Sequence, residues 1–168
     1  MEFQSLRDVF VEQVQDLYSA EQQLVEALPK MVTAADSDEL SKALQNHLEE
    51  TRGHLQRLQD LLPTVGAVTS TEPCEGMAGL LREGEKVIAA TGDPIAKDAA
   101  LIAAAQRVEH YEIAGYGTAA TLADNLDLDE AKDVLEQTLD EETNADKLLT
   151  KVATGGMFRT GVNQAATR

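Results

Sequence analysis

The sequence predicts an all-α protein: a four-helix bundle made of two antiparallel hairpins joined by a long crossover that carries a short helix. Three observations lead there. The 168 residues hold only 4% aromatics and no Trp, and Leu and Ala dominate, a balance that favours helix over sheet. Apolar residues recur three or four apart along almost the whole chain. The first and second helical segments, and likewise the third and fourth, are joined by short loops, while the middle connection is long. Short loops make antiparallel neighbours, and one long crossover between two hairpins is the ferritin-like arrangement of a bundle.

In the first segment Phe10, Val14, Leu17, Leu24, Leu28 and Met31 define the apolar face. Ser5 with Asp8 caps its start, and Pro29 is expected to kink it near its end, because proline lacks the N–H and crowds the preceding turn. The second opens at Asp36, with Glu39 at the capping-box spacing. It runs through Leu40, Leu44, Leu48, Leu55, Leu58 and Leu61 to about Leu62, where Pro63 stops it. The crossover, residues 63–92, carries an amphipathic piece with Met77, Leu80, Leu81, Val87 and Ile88. The third long helix starts at Asp93-Pro94, an N-cap followed by proline at the first helical position, and reaches about Asp124. The fourth begins near Asp127, with Glu130 three residues on, and ends before Gly155-Gly156. Residues 1–154 thus form the bundle, and 155–168 a C-terminal tail, frayed or docked in part.

The chain carries 14 Lys+Arg against 30 Asp+Glu, a formal charge of −16. That excludes a general nucleic-acid binder, since phosphates would be repelled. It suits a soluble protein that stays dispersed, or one that gathers cations. The longest apolar run, Ala99 to Ala105, is far short of the roughly 20 residues a membrane span requires, and MEFQSLRDVF has no signal-peptide pattern. A cytoplasmic location with no membrane partner is expected. The single cysteine, Cys74, excludes an internal disulfide and any multi-thiolate metal site.

Position matters more than number among the acids. A bundle helix should turn an apolar stripe inward. Here the first stripe reads Val14, Leu17, Glu21, Leu24, Leu28. The second reads Ala43, His47, Glu50, His54, Leu58, Leu61. The third reads Ile102, Ala105, Glu109, Glu112, Tyr116, Ala119, and the fourth Leu135, Leu139, Glu142, Asp146, Leu149, Ala153. Every helix carries a carboxylate on its inward face near its middle. At about 100° per residue, pairs three or four apart point the same way, as do Glu50 with His54, Glu109 with Glu112, and Glu142 with Asp146. Such carboxylates cannot stay ionised together without a cation, because desolvation and mutual repulsion oppose it. Two divalent metals between the helices would remove the conflict, and carboxylates with imidazole suit iron or manganese. His47 shares the stripe with Glu50 and is an alternative to His54 as the nitrogen ligand. His110 lies about 100° from Glu109, so it is expected at the surface or in hairpin packing. Tyr18 and Tyr116 stand within reach of the site.

Four segments carry a family resemblance: DLYSAEQQLVEALPKM (Asp16 to Met31), HLEETRGHLQRL (His47 to Leu58), AAQRVEHYEIAGYGT (Ala104 to Thr118) and LDEETNADKLL (Leu139 to Leu149). They resemble the YciF-type bacterial stress-response family of the ferritin-like superfamily, over nearly the whole chain up to about Ala153. The superfamily includes rubrerythrins, whose helices supply E, ExxH, ExxE, and a Glu with a His. The resemblance implies Glu21, Glu50, His54, Glu109, Glu112 and Glu142 as ligands of two iron ions, with manganese as the alternative and peroxide or oxygen as the small-molecule substrate. This chain departs from that pattern. His54 follows Glu50 by four residues, Asp146 stands where a second histidine would, and no CxxC pair supplies a rubredoxin module. The activities that follow are a di-iron peroxidase or oxidase, or a dimanganese catalase-like reaction. The alternatives are iron binding or storage, and a non-catalytic structural homodimer that uses Leu44, Leu48 and Leu55 if the core leaves them exposed.

Overall fold

The computed structural model describes residues 2–69, 72–156 and 159–167. The expectations for positions 70–71 of the crossover, and for 157–158 and 168 of the tail, lie outside the described residues. Helix α1 (Leu6–Ala34) opens with the expected capping box: Ser5 accepts from the Asp8 amide, and the Asp8 carboxylate accepts from the Ser5 amide. Pro29 lies inside the helix, which continues to Ala34.

Helix α2 (Asp38–Thr64) begins later than the sequence suggests. Its N-cap is Ser37, whose hydroxyl accepts from Leu40 N–H, not Asp36. The reason is a buried carboxylate on another helix. Asp98 accepts the amides of Asp36 (2.9 Å) and Ser37 (2.7 Å) and draws the interhelical turn onto the bundle. Pro63 sits in the last turn rather than beyond it. The crossover holds α3 (Glu75–Ile88), capped by Cys74. Helix α4 (Pro94–Asn125) is capped by Asp93, which accepts from Ala96 N–H at 2.8 Å. Helix α5 (Asp129–Thr154) also starts later than Asp127, because Asp127 adopts the left-handed backbone (φ 54°) that turns the chain. Leu128 therefore precedes the helix, without a side-chain cap.

Helices α1 and α2 form one hairpin and α4 and α5 the other; α1 lies beside α4, and α2 beside α5. Helix α3 covers the side formed by α1 and α4. The tail folds back. A short antiparallel pair, β1 (Gly155–Gly156) and β2 (Arg159–Thr160), leads into α6 (Val162–Ala165), which packs on α4 and α5. A side chain at Gly161 would meet the backbone of Ala153 and Thr154 at 2.4 and 2.3 Å, so only glycine permits this return.

The apolar interior comes in two parts. One unites Leu24, Leu28, Leu40, Leu44, Leu48, Met77, Leu101 and Leu149 at the end where α1 meets α2. The other unites Phe10, Val14, Leu17, Leu58, Leu62, Tyr116 and Leu135 at the end where α4 meets α5. Leu44 and Leu48 are spent in the first part, and Leu55 packs against the second. Leu44 and Leu48 are therefore not left exposed for a dimer face, and Leu55 is partly buried. No helix among the described residues is long and apolar enough to cross a membrane.

Asp98→Ala should lower the unfolding free energy by about 2 kcal/mol, since two amides lose their only charged acceptor. Urea unfolding followed by circular dichroism measures this. A change below about 0.5 kcal/mol would show that the turn holds without it.

Candidate metal centre

Between the two apolar parts lies a polar layer at mid-height of the bundle. Helix α1 contributes Glu21, α2 His47 and His54, α4 Glu109 and Glu112, and α5 Glu142, all buried. The seven-residue spacing of His47 and His54 amounts to two turns, so both rings leave α2 on one face. Glu109 and Glu112 share a face of α4 for the same reason.

The six residues form two groups. His47, Glu109, Glu112 and Glu142 each offer a ligand atom, all within 4.8 Å of one another, and Glu21, His54 and Glu142 do the same. Glu142 belongs to both. Its Oε1 lies 2.8 Å from His54 Nδ1, and its Oε2 lies 3.9 Å from His47 Nε2. Glu21 Oε1 stands 3.3 Å from His54 Nδ1, and Glu109 Oε1 stands 3.3 Å from His47 Nε2. A carboxylate that directs one oxygen to each group has the geometry of a bridge between two cations.

Among the described residues, the buried side-chain nitrogen and oxygen atoms without a hydrogen-bond partner all belong to these six residues. They include both oxygens of Glu112 and of Glu142 and both ring nitrogens of His47. Each such atom costs about 1–3 kcal/mol when left unsatisfied. Burial pushes the carboxyls of Glu109 and Glu112 well above the usual range, and repulsion from Glu142 adds to the effect. Burial also raises Glu21, against the pull of His54. Burial disfavours the His54 cation too, but its contacts with Glu142 and Glu21 outweigh that and raise its pKa to about 10. Glu142 is shifted below the usual carboxylate value: burial opposes this, and His54 and His47 more than offset it. Four carboxylates and two imidazoles make an oxygen- and nitrogen-rich pocket, and its donor set fits two divalent metals.

Neighbouring groups hold the ligands in place. Tyr116, fully buried, donates to Glu21 Oε1. Glu141 Oε2 lies 2.9 Å from His54 Nε2, which leaves Nδ1 facing Glu21 and Glu142. Arg57 grips Glu141 through both guanidinium nitrogens, at 2.7 and 2.9 Å, and also donates to Thr138. The Arg57 guanidinium holds Glu141 below its usual value although burial works against it.

Of the ligands expected from sequence, Glu21, His54, Glu109, Glu112 and Glu142 converge. Glu50 and Asp146 do not. The Glu50 side chain is 47% exposed, with Oε2 3.6 Å from His47 Nδ1. His47 and His54 together fill the inward direction of α2, and Glu50, 40–60° around the helix from them, falls at the stripe edge. Asp146, one turn beyond Glu142, lies partly buried between α5 and α4 and accepts from Gln106 (2.9 Å), with His110 at 3.5 Å. His110 is exposed, as its offset from Glu109 implies. Where the sequence left His47 and His54 as alternatives, the structure brings both inward. Tyr116 reaches the site, while the hydroxyl of Tyr18 accepts from Gln22 instead. Sequence reasoning missed Glu141 and Arg57. The only signal was a cation one turn after His54 and an acid beside Glu142, a pattern common on any charged helix.

The family model described as "Domain of unknown function (DUF892)" matches residues 5–167, and the chain belongs to this family. The chain is 42% identical over 166 residues to Protein YciF of Escherichia coli (strain K12), which covers 98% of this chain and 100% of that protein. The crystal structure of the E. coli stress protein YciF matches with a TM-score of 0.89 at 40% identity, covering 99% of this chain and 100% of that one. YcfI of Rhodopseudomonas palustris, described provisionally as a structural protein, matches with a TM-score of 0.86 at 38% identity, over 90% of this chain and 97% of that one.

The raised carboxyls of Glu109 and Glu112 bind protons in the folded chain that the unfolded chain has released. Stability of the metal-free protein should therefore fall as pH rises above 4.5, their ordinary value. The raised His54 acts in the same direction: its contribution is complete below 6.5 and is lost as pH approaches about 10. Denaturant unfolding in chelator should show a steady loss from pH 5 upward. Glu112→Gln, which removes one of the buried charges, should stabilise the metal-free protein at pH 8 by about 1–3 kcal/mol. A destabilised variant at that pH would contradict this account of the layer.

Proposed function

We propose that the chain is a stress-response protein of the ferritin-like type that binds a dinuclear metal centre in the bundle core, iron first and manganese as the alternative, and reacts there with peroxide or oxygen. The observation that carries this reading is that, among the described residues, the buried side-chain atoms without a hydrogen-bond partner all belong to Glu21, His47, His54, Glu109, Glu112 and Glu142. The family relation to a protein named a stress protein supports the physiological setting.

His47, Glu109, Glu112 and Glu142 would hold one cation, and Glu21, His54 and Glu142 the other. Bound there in reduced form, the two metals would provide redox chemistry, one electron from each ion, toward an O–O bond. The protein's own part is positioning and exclusion of water. Tyr116 fixes Glu21 by donating to Oε1. Glu141, held by Arg57, keeps the His54 ring turned so that Nδ1 faces inward. The apolar parts above and below the layer close it to bulk water along the bundle axis. This sequence holds no CxxC pair, so an iron peroxidase would draw on a separate reductant, whereas a manganese catalase would not, because peroxide serves as both oxidant and reductant.

The description of the R. palustris relative favours a second reading, a structural protein that binds no functional metal. Metal content separates the two. Chelator-free purification followed by elemental analysis, and anaerobic titration with Fe(II) or Mn(II), should give two ions per chain. Glu142→Ala should lose both and Glu21→Ala one. Loaded protein should consume peroxide faster than the free metal does. Protein that takes up no metal would favour the structural reading, and uptake without peroxide consumption would leave a binding protein. Glu141→Gln should weaken one of the two binding steps about 10- to 100-fold, the usual effect of losing a carboxylate that orients a ligating imidazole. Isothermal titration with Mn(II) would reveal it, and an unchanged isotherm would remove Glu141 from this role.

A further inference from the structure

The polar layer is sealed unevenly. Glu21, His54, Glu112 and Glu142 have no exposed surface, and the little that the layer shows belongs to His47 and Glu109. These two line a cavity of about 120 Å³ between α2 and α5. That side of the bundle lies opposite the one that α3 covers. Glu50, Asn46 and Asn144 stand around the cavity as well. The volume is several times the 10–15 Å³ that one water requires, so a partly hydrated ion fits. Glu50, set aside above as an interior ligand, finds its place here. It is half exposed, and Oε2 faces His47 Nδ1 at 3.6 Å. His47 is 95% buried, with both ring nitrogens unpartnered: Nδ1 faces Glu50, and Nε2 faces Glu109 and Glu142. A donor with one nitrogen toward the half-exposed Glu50 and one toward the layer is what a passage requires.

The polar part of the lining favours a cation. Alanine and leucine side chains make up half of the wall, and the polar half is Asn46, His47, Glu50, Glu109 and Asn144. The chain's charge of −16 adds a field that concentrates cations and repels anions. The outer nitrogen of the other histidine is closed: Glu141 occupies His54 Nε2, and the Arg57 guanidinium lies behind it. A cation approaching there would meet a fixed positive charge.

We propose that the cavity between α2 and α5 is the port through which a hydrated divalent cation reaches the bundle core, with Glu50 as the capture ligand at its mouth and His47 as the acceptor at its floor. This rests on the dinuclear reading above. The Glu50 carboxylate replaces a water of the incoming ion, and His47 then replaces Glu50 as the ion passes inward. A port changes the barrier and not the end state, so uptake and release should slow together.

The test follows Co(II) uptake by stopped-flow visible absorption, and release to excess chelator, on the full chain. Glu50→Gln should slow both about tenfold, with stoichiometry kept and affinity within about threefold of wild type. Asn144→Leu, which plugs the mouth without removing charge, should slow both as well. Glu49→Gln is the control: it removes the same charge one residue away, from a carboxylate paired with Arg52 outside the cavity, and should leave the rates within about twofold. Glu50→Gln kinetics matching those of Glu49→Gln would overturn the port. So would a lost Co(II) equivalent or a proportional loss of affinity with unchanged uptake, which would make Glu50 a resident ligand. Wild-type protein that takes up no Co(II) would instead mark failure of the metal-centre reading itself, and the port would fall with it.

Discussion

Four carboxylates and two imidazoles share a buried layer at the middle of the bundle, and the rest of the architecture answers to the cost of putting them there. Desolvating a carboxylate is expensive, and placing several within a few ångströms adds repulsion that the low-dielectric interior does little to screen. The helices that present them are otherwise well made: capped by Ser5, Ser37 and Asp93 and packed through leucine and alanine. A bundle this regular could bury apolar side chains at all six positions. A well-packed apolar layer is usually at least as stable as a buried ionic one, so the polar layer is maintained against stability, and a ligand is the simplest source of its compensation.

The two histidines are supported differently, and the difference divides the layer into a fixed and an accessible side. His54 is held by a carboxylate that is itself clamped by a guanidinium, an arrangement that leaves its ring one orientation. His47 faces a half-exposed carboxylate at 3.6 Å and a solvent-connected cavity. Helix α3 reinforces the asymmetry by lying across α1 and α4 and leaving the groove between α2 and α5 open.

The fold was legible because helical periodicity and loop length are local signals, and here they agree throughout. Of the two late helix starts, one has a tertiary cause and the other a backbone one. Helix α2 starts at Ser37 because Asp98, far away in sequence, takes the amides that a local cap would have used. Helix α5 starts after Asp127 because that residue turns the chain with a positive φ. The layer was legible where carboxylates alone interrupt an apolar stripe, as at Glu21 on α1, Glu109 and Glu112 on α4, and Glu142 on α5. It was less so on α2, where His47, Glu50 and His54 lie within about 60° of one another and only packing decides which two turn inward. Glu141 and Arg57 were hidden because a charge pair on neighbouring helices looks like ordinary surface until the rings it touches are in place.

The polar layer also interrupts the hydrophobic interior, leaving one apolar part at each end of the molecule with little to join them except the helices themselves. Cooperativity in a small domain depends on contacts that make opening one region costly for another. With the layer's carboxylates and imidazoles unbridged, the two ends would breathe as separate units, and amide hydrogens at one end would exchange while the other stays closed. An ion held by residues from all four helices would tie the ends into a single unit. Its contribution would then be mechanical as well: it would set whether the bundle opens in halves or only as a whole.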